Sequence, residues 1–159
     1  MDEARWLTAR QLRAWIRLEA VVELLPSVLD QQLQHDASLT HFEYIVLAKL
    51  SEAPDHVLRM TALAATTNST LPRLSHVASR LEGRGFIERA PCPGDRRATN
   101  AHLTEAGWQK VVEAAPGHVE TVRSHVIDLL SDEEVGQLDA IMARLLQKLD
   151  PENTLRVIP

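Results

Sequence analysis

The sequence predicts a mainly α-helical chain with one small β-hairpin, and three observations predict it. Apolar residues recur at gaps of three and four along most of the length, the periodicity of helices buried on one face. Ser or Thr followed three positions later by Glu, the capping-box signature of a helix start, occurs at Thr40 and Glu43 and again at Ser131 and Glu134. After Gly83 and Gly85 the pattern changes to two short β-prone runs around a Pro- and Gly-rich turn.

Taken in order, residues 7–33 form the first helix, with Leu12, Trp15, Leu18, Val22, Leu25, Leu29 and Leu33 on one stripe. Pro26 lies inside it and lacks a backbone N–H, so a kink or short break near Leu25 is expected, followed by a link over residues 36–39. Thr40 caps a second helix to Glu52, ended by Ala53, Pro54 and Asp55. Residues 57–60 are β-prone, and Thr61 is placed to cap a short third helix before a turn at Thr67 and Asn68. Ser69 or Thr70 caps a fourth helix reaching about Arg84, with Pro72 in its first turn, where the missing N–H costs nothing. Its inward face is Leu74, Val77, Ala78 and Leu81. Two β-prone runs follow, 86–90 and 99–103, joined by a long basic loop over 91–97. Thr104 caps a fifth helix that Pro116 and Gly117 should bend, and Ser131 caps a last one carrying Val135, Leu138, Ile141, Leu145 and Leu149.

The charge is unevenly placed. The 159 residues carry a formal charge of -5, yet residues 54–103 hold seven arginines against four acids and are therefore net positive. A basic middle on an acidic scaffold suits a nucleic-acid face, because phosphate neutralisation needs cations only locally. The order helix, short strand, short helix, turn, helix, hairpin is that of a winged helix-turn-helix, in which one helix enters the major groove. Here that helix exposes Ser69, Thr70, Arg73, Ser75, His76, Ser79 and Arg80, with no acid before Glu82. Arg96 and Arg97 at the wing would seek the negative potential of the minor groove, with Asp95 bracing one of them. The candidate DNA-binding residues are thus Ser69, Thr70, Arg73, Ser75, His76, Arg80, Asp95, Arg96 and Arg97.

Three landmarks give these residues a family likeness. Leu81-Glu82-Gly83-Arg84-Gly85 forms a Leu-Glu-x-x-Gly helix exit, Asp95-Arg96-Arg97 a wing signature, and Leu103-Thr104-Glu105-Ala106-Gly107 a Leu-Thr-x-x-Gly start of the next helix. In this order and spacing the chain resembles the MarR family of transcription regulators over roughly residues 10–149. The resemblance implies a winged helix-turn-helix flanked by N- and C-terminal dimerisation helices. It also implies a homodimer on duplex DNA at a pseudo-palindromic operator, acting as a repressor released by a small aromatic or anionic effector. The organisation expected is a dimerisation helix in 1–36, the DNA-binding domain in 37–103, dimerisation helices in 104–150 and an irregular tail in 151–159. One departure stands out: many members have Arg where this chain has His76, and a contact made by a protonated imidazole weakens as pH rises. In the effector crevice usual for the family, Trp15, His41 and Tyr44 are the candidate lining residues, although core packing suits each of them; no effector follows from them.

Other functions find little support. A single cysteine, Cys92, excludes an intrachain disulfide and fits a cytoplasmic protein, and as a wing residue it reads as passive rather than as a redox switch. No apolar run is long enough to span a membrane, and Asp2, Glu3 and Arg5 do not resemble a secretory signal. His118 and His125 are seven apart among valines, which suggests an interface more than a zinc site, so no cofactor, metal or catalytic group is expected. The alternative function is a winged-helix protein-interaction module that does not bind DNA.

Overall fold

A computed structural model of the chain describes residues 4–156. The expectations for the first three residues of the N-terminal segment and the last three of the tail lie outside the described residues. Among those described are α1 (Ala9–Ala37), α2 (His41–Glu52), β1 (Val57–Arg59), α3 (Met60–Thr66), α4 (Leu71–Gly83), β2 (Ile87–Cys92), β3 (Asp95–Leu103), α5 (Glu105–His125) and α6 (Asp132–Leu149). The architecture is mainly helical with a small antiparallel sheet, a winged helix-turn-helix as the pattern predicts.

Helix α1 begins on a Thr8 and Gln11 capping box and continues unbroken through Pro26. The missing N–H deprives only the carbonyl of Val22, a residue 63% exposed, where water can serve instead. The expected break is therefore absent, and the helix ends later than expected, at a left-handed Ser38 whose successor Leu39 donates to the Leu33 carbonyl at 3.2 Å. Helix α3 starts one residue before Thr61, directly from Arg59 at the end of β1, so Thr61 lies inside its first turn and caps nothing.

The hairpin differs from the expected one in two ways. It has a third strand, because β1 pairs with β3 (Leu58 opposite Ala101), giving the sheet order β1-β3-β2. Its tip is also much tighter than a seven-residue loop: β2 and β3 pair out to Cys92 opposite Asp95, leaving only Pro93 and Gly94 to turn. Pro at the first and Gly at the second central position, with Gly94 at φ 81°, is the composition a tight turn requires. Pro91 is tolerated because β2 is an edge strand, and the ladder shifts register right there.

The glycine of the Leu-Thr-x-x-Gly landmark has a steric reason. A Cβ on Gly107 would sit 2.1 Å from the Phe86 carbonyl oxygen, which already accepts the Thr104 N–H at 3.0 Å. The Thr104 hydroxyl donates to the Gly85 carbonyl at 2.7 Å and accepts from the Gly107 N–H at 3.0 Å. The start of α5 is thus locked onto the helix-to-wing junction. Further along, α5 runs without interruption through Pro116 and Gly117. Gly117 serves close approach rather than a bend: a Cβ there would meet the Gln32 amide at 3.0 Å and Asp36 at 3.3 Å across the contact with α1.

One core holds the middle together. Leu33, Leu39, Val46, Leu47, Leu50, Leu63, Leu74, Leu81 and Ile87 are completely or almost completely buried, and Ala101 and Ala114 close the cluster. The outer helices take little part. No residue of α6 is buried, and in α1 burial begins only at Leu29.

Candidate nucleic-acid interface

Helix α4 is built to present three surfaces. Thr70 accepts the Arg73 N–H at 3.4 Å and caps it, Pro72 fills the first turn, and Leu74, Val77, Ala78 and Leu81 are buried as expected. Helical spacing then puts Arg73, Arg80 and Arg84 on one flank, Ser75, Ser79 and Glu82 toward the other, and Pro72 and His76 near the crest opposite the core.

The first flank is tied to α2. The Arg73 guanidinium lies 4.4 Å from the centroid of the Phe42 ring. Arg80 Nε donates to Glu43 Oε1 at 3.2 Å and its Nη2 donates to the same oxygen, while Arg84 Nη1 is 3.8 Å from the other oxygen. Burial pushes the Glu43 carboxyl upward, but the hydrogen bonds from Arg80 and from the Thr40 backbone outweigh it and hold it below its usual range. Arg80, a predicted DNA-contacting residue, is tied to Glu43 while its side chain stays half-exposed.

The second flank is tied to the wing. Arg89 on β2 donates to Glu82 Oε2 at 3.0 and 2.7 Å and to Ser79 Oγ at 3.0 Å, and its backbone N–H reaches Glu82 Oε1 at 2.8 Å. These hydrogen bonds lower the Glu82 carboxyl pKa. Asp95 accepts the Arg97 backbone N–H at 3.1 Å and lies 4.0 Å from the Arg59 guanidinium. It therefore braces the wing backbone and Arg59, where the sequence suggested the side chain of Arg96 or Arg97. Those two arginines stand on β3, and neighbours on a strand face opposite ways. Arg97 lines a groove of about 180 Å³ with Arg59, Thr61, Ser75, Arg89 and Thr99, so Arg96 faces the other side of the wing.

That groove brings together three arginines and three hydroxyls; with Arg89 held by Glu82 and Ser79, Arg97, Arg59 and the hydroxyls present the donors suited to phosphate oxygens. Arg59 and Arg89 are functional candidates that reasoning from sequence missed. Each sat in a β-prone run and showed only as one of seven cations. Ser69 and Thr70 stand at the start of α4, where Ser69 Oγ donates to the Thr70 carbonyl at 3.2 Å. His76 is exposed on the crest.

A second cleft, of about 440 Å³, opens between α1, α2 and α4 and is lined by Pro26, Asp30, Gln31, His41, Phe42 and Arg73. Of the three crevice candidates it contains His41 alone. Tyr44 packs on His118 at 4.6 Å between ring centroids, and Trp15 is 49% exposed on the outer face of α1. His41 and His118 lie 5.9 Å apart, and burial lowers the pKa of both, His118 further through the charge of His41. His125 bonds locally to the Thr121 carbonyl at 2.9 Å, away from His118. Cys92 Sγ accepts from Arg59 at 3.5 Å. Among the described residues no helix is long and apolar enough to cross a membrane.

The MarR family model matches residues 39–99, which run from the end of the α1–α2 link to the wing. The crystal structure of Sco3205, a MarR family transcriptional regulator from Streptomyces coelicolor in complex with DNA, superposes with a TM-score of 0.89 at 42% identity. That likeness covers 95% of this chain and 94% of that one. The chain belongs to the MarR family. A second MarR family regulator from Streptomyces coelicolor, AbsC, superposes with a TM-score of 0.85 at 38% identity, over 92% of this chain and 98% of the other. The transcriptional repressor MprA of Escherichia coli K12 is 30% identical over 107 residues, 67% of this chain and 60% of MprA, so the match spans about three fifths of that relative. In this MarR family member the arginine-lined groove lies between the wing and α4, and His76 stands on the crest of α4.

Proposed function

We propose that this chain is a sequence-specific, duplex-DNA-binding transcription regulator that acts as a homodimer. The observation that carries the reading is the groove of Arg59, Arg89 and Arg97 beside an α4 whose one acid, Glu82, is engaged by Arg89. The DNA complex of Sco3205, at 42% identity, supports it. Helix α4 enters the major groove with Ser69, Thr70, Arg73, Ser75 and His76 at its leading end, and Arg97 approaches the minor groove while Arg96 flanks the wing. Asp95 and Arg80 belong to the site as a brace and a tether.

Dimerisation follows from apolar faces with nothing to cover them. Trp15 and Ile16 on α1, Val112 on α5 and Ile141 and Leu145 on α6 are all exposed in the single chain. On this reading residues 1–36 and 104–150 pair two chains around the DNA-binding unit 37–103, with 151–159 as a tail. A two-fold pair of recognition helices would read a pseudo-palindrome with half-sites about 34 Å apart. Repression in the cytoplasm, relieved by a small aromatic or anionic effector in the cleft of Asp30, His41, Phe42 and Arg73, is the accompanying role.

The test is a fluorescence-anisotropy titration of random duplex DNA at increasing salt. Binding at low salt that weakens steeply with salt, and weakens for Arg97→Ala, is expected. No binding at low salt would favour a protein-interaction module instead.

A further inference from the structure

We infer that Glu43 is a positioning residue for DNA recognition, a role that rests on the DNA-binding reading above. Its buried carboxylate fixes the recognition helix through Arg80 and Arg84 and keeps those guanidiniums off the phosphate backbone. The molecule contains its own comparison. Glu134 performs the same capping duty at the start of α6, its Oε2 accepting the Ser131 N–H at 2.9 Å, and it does so fully in solvent. Glu43 accepts the Thr40 N–H at 2.8 Å in the same way, yet is only 3% exposed. Capping alone does not call for burial, and burying a carboxylate is costly unless it is paired. The pairing comes from α4, through two hydrogen bonds from Arg80 and the approach of Arg84. The preceding residue, Phe42, carries Arg73 on its ring. Positions 42 and 43 thus hold three arginines spaced along one flank of α4, which fixes the rotation of that helix about its axis.

Tethering has a consequence for specificity. A free arginine on the recognition helix adds attraction to any phosphate, which carries no sequence information. Held by Glu43, Arg80 leaves discrimination to the crest and the leading end of the helix.

Glu43→Gln separates the two duties of this residue, since Gln at the same position still completes a capping box but carries no charge for Arg80. The probes are a random duplex and a duplex selected from a randomised library by the wild-type protein. Glu43→Gln should bind random duplex at least as tightly as wild type, with a steeper salt dependence, and should bind the selected duplex more weakly, so that the preference falls roughly tenfold. Arg80→Ala, on a half-exposed side chain, should keep the wild-type salt slope while losing preference. An unchanged preference in Glu43→Gln would overturn the inference. So would a parallel loss of both affinities together with a lowered melting temperature, or a slope reduced by about one in Arg80→Ala, the mark of a direct phosphate contact. Failure of the wild type to bind any duplex would remove the inference along with the DNA-binding reading, whereas the other results leave that reading standing.

Discussion

Helices α4 and α6 are both amphipathic and both capped by a hydroxyl side chain, and they have opposite fates in the single chain. Helix α4, only 13 residues long, buries Leu74, Val77, Ala78 and Leu81 and is tethered on both flanks. Helix α6 has 18 residues and buries none, leaving Ile141 45% and Leu145 41% exposed. The difference teaches that the winged middle, closed by the end of α1 and by α5, buries its apolar face within one chain, while the stripe of α6 stays exposed there. A helix with a well-formed apolar stripe and no core of its own needs a partner.

The largest effect should come from breaking the dimer interface proposed for α6. Ile141→Asp combined with Leu145→Asp should convert dimers to monomers in sedimentation velocity. Burial of each such side chain is worth about 1.5–3 kcal/mol and two-fold symmetry counts each twice. An unaltered dimer would mean that α6 lies outside the interface.

Glycines sharpen the same comparison within one technique. Gly107→Ala forces a methyl group onto the Phe86 carbonyl oxygen and should cost about 1–3 kcal/mol, read as a lowered melting temperature. Gly136→Ala, in α6 with nothing within 4 Å of the added carbon, should instead raise stability by about 0.5–1 kcal/mol through helix propensity.

The winged middle also meets α5 through titrating groups. Burial disfavours charge on His41 and His118, so the folded chain binds fewer protons than the unfolded one below the usual histidine pKa of 6.5. Stability is therefore retained above pH 6.5 and should fall as pH drops below it. Melting curves from pH 8 to pH 5 would measure this, and His118→Phe should flatten the profile. Glu43 acts lower on the scale: its depressed pKa contributes stability above about pH 4.5, lost as pH falls toward the folded value.

Much of this was legible in the sequence. The helices, their caps at Thr40, Thr70, Thr104 and Ser131, and the inward face of α4 follow from local rules of spacing and capping. What local rules missed was set by contacts distant in sequence. Pro26 and the Pro116-Gly117 pair suggested irregular helices, but the carbonyls left without a donor belong to Val22 and Val112, 63% and 50% exposed, where water can serve. The run from Pro91 to Arg97 suggested a long loop, although only Pro93 and Gly94 turn, because cross-strand pairing extends to Cys92 and Asp95. In the site, the Arg96-Arg97 pair and the start of α4 were candidates on the sequence alone. Arg59 and Arg89 were not, since only the sheet brings β1 and β2 to the same groove. Glu43 was visible as a cap and invisible as a partner of Arg80, which lies 37 positions away.

The most direct test of the central claim is sedimentation velocity of a fluorescently labelled selected duplex mixed with the protein at low salt. Two chains per duplex, released as salt is raised, is the result expected of a dimeric reader with an arginine-lined groove. A complex of one chain per duplex, or no complex at low salt, would contradict it.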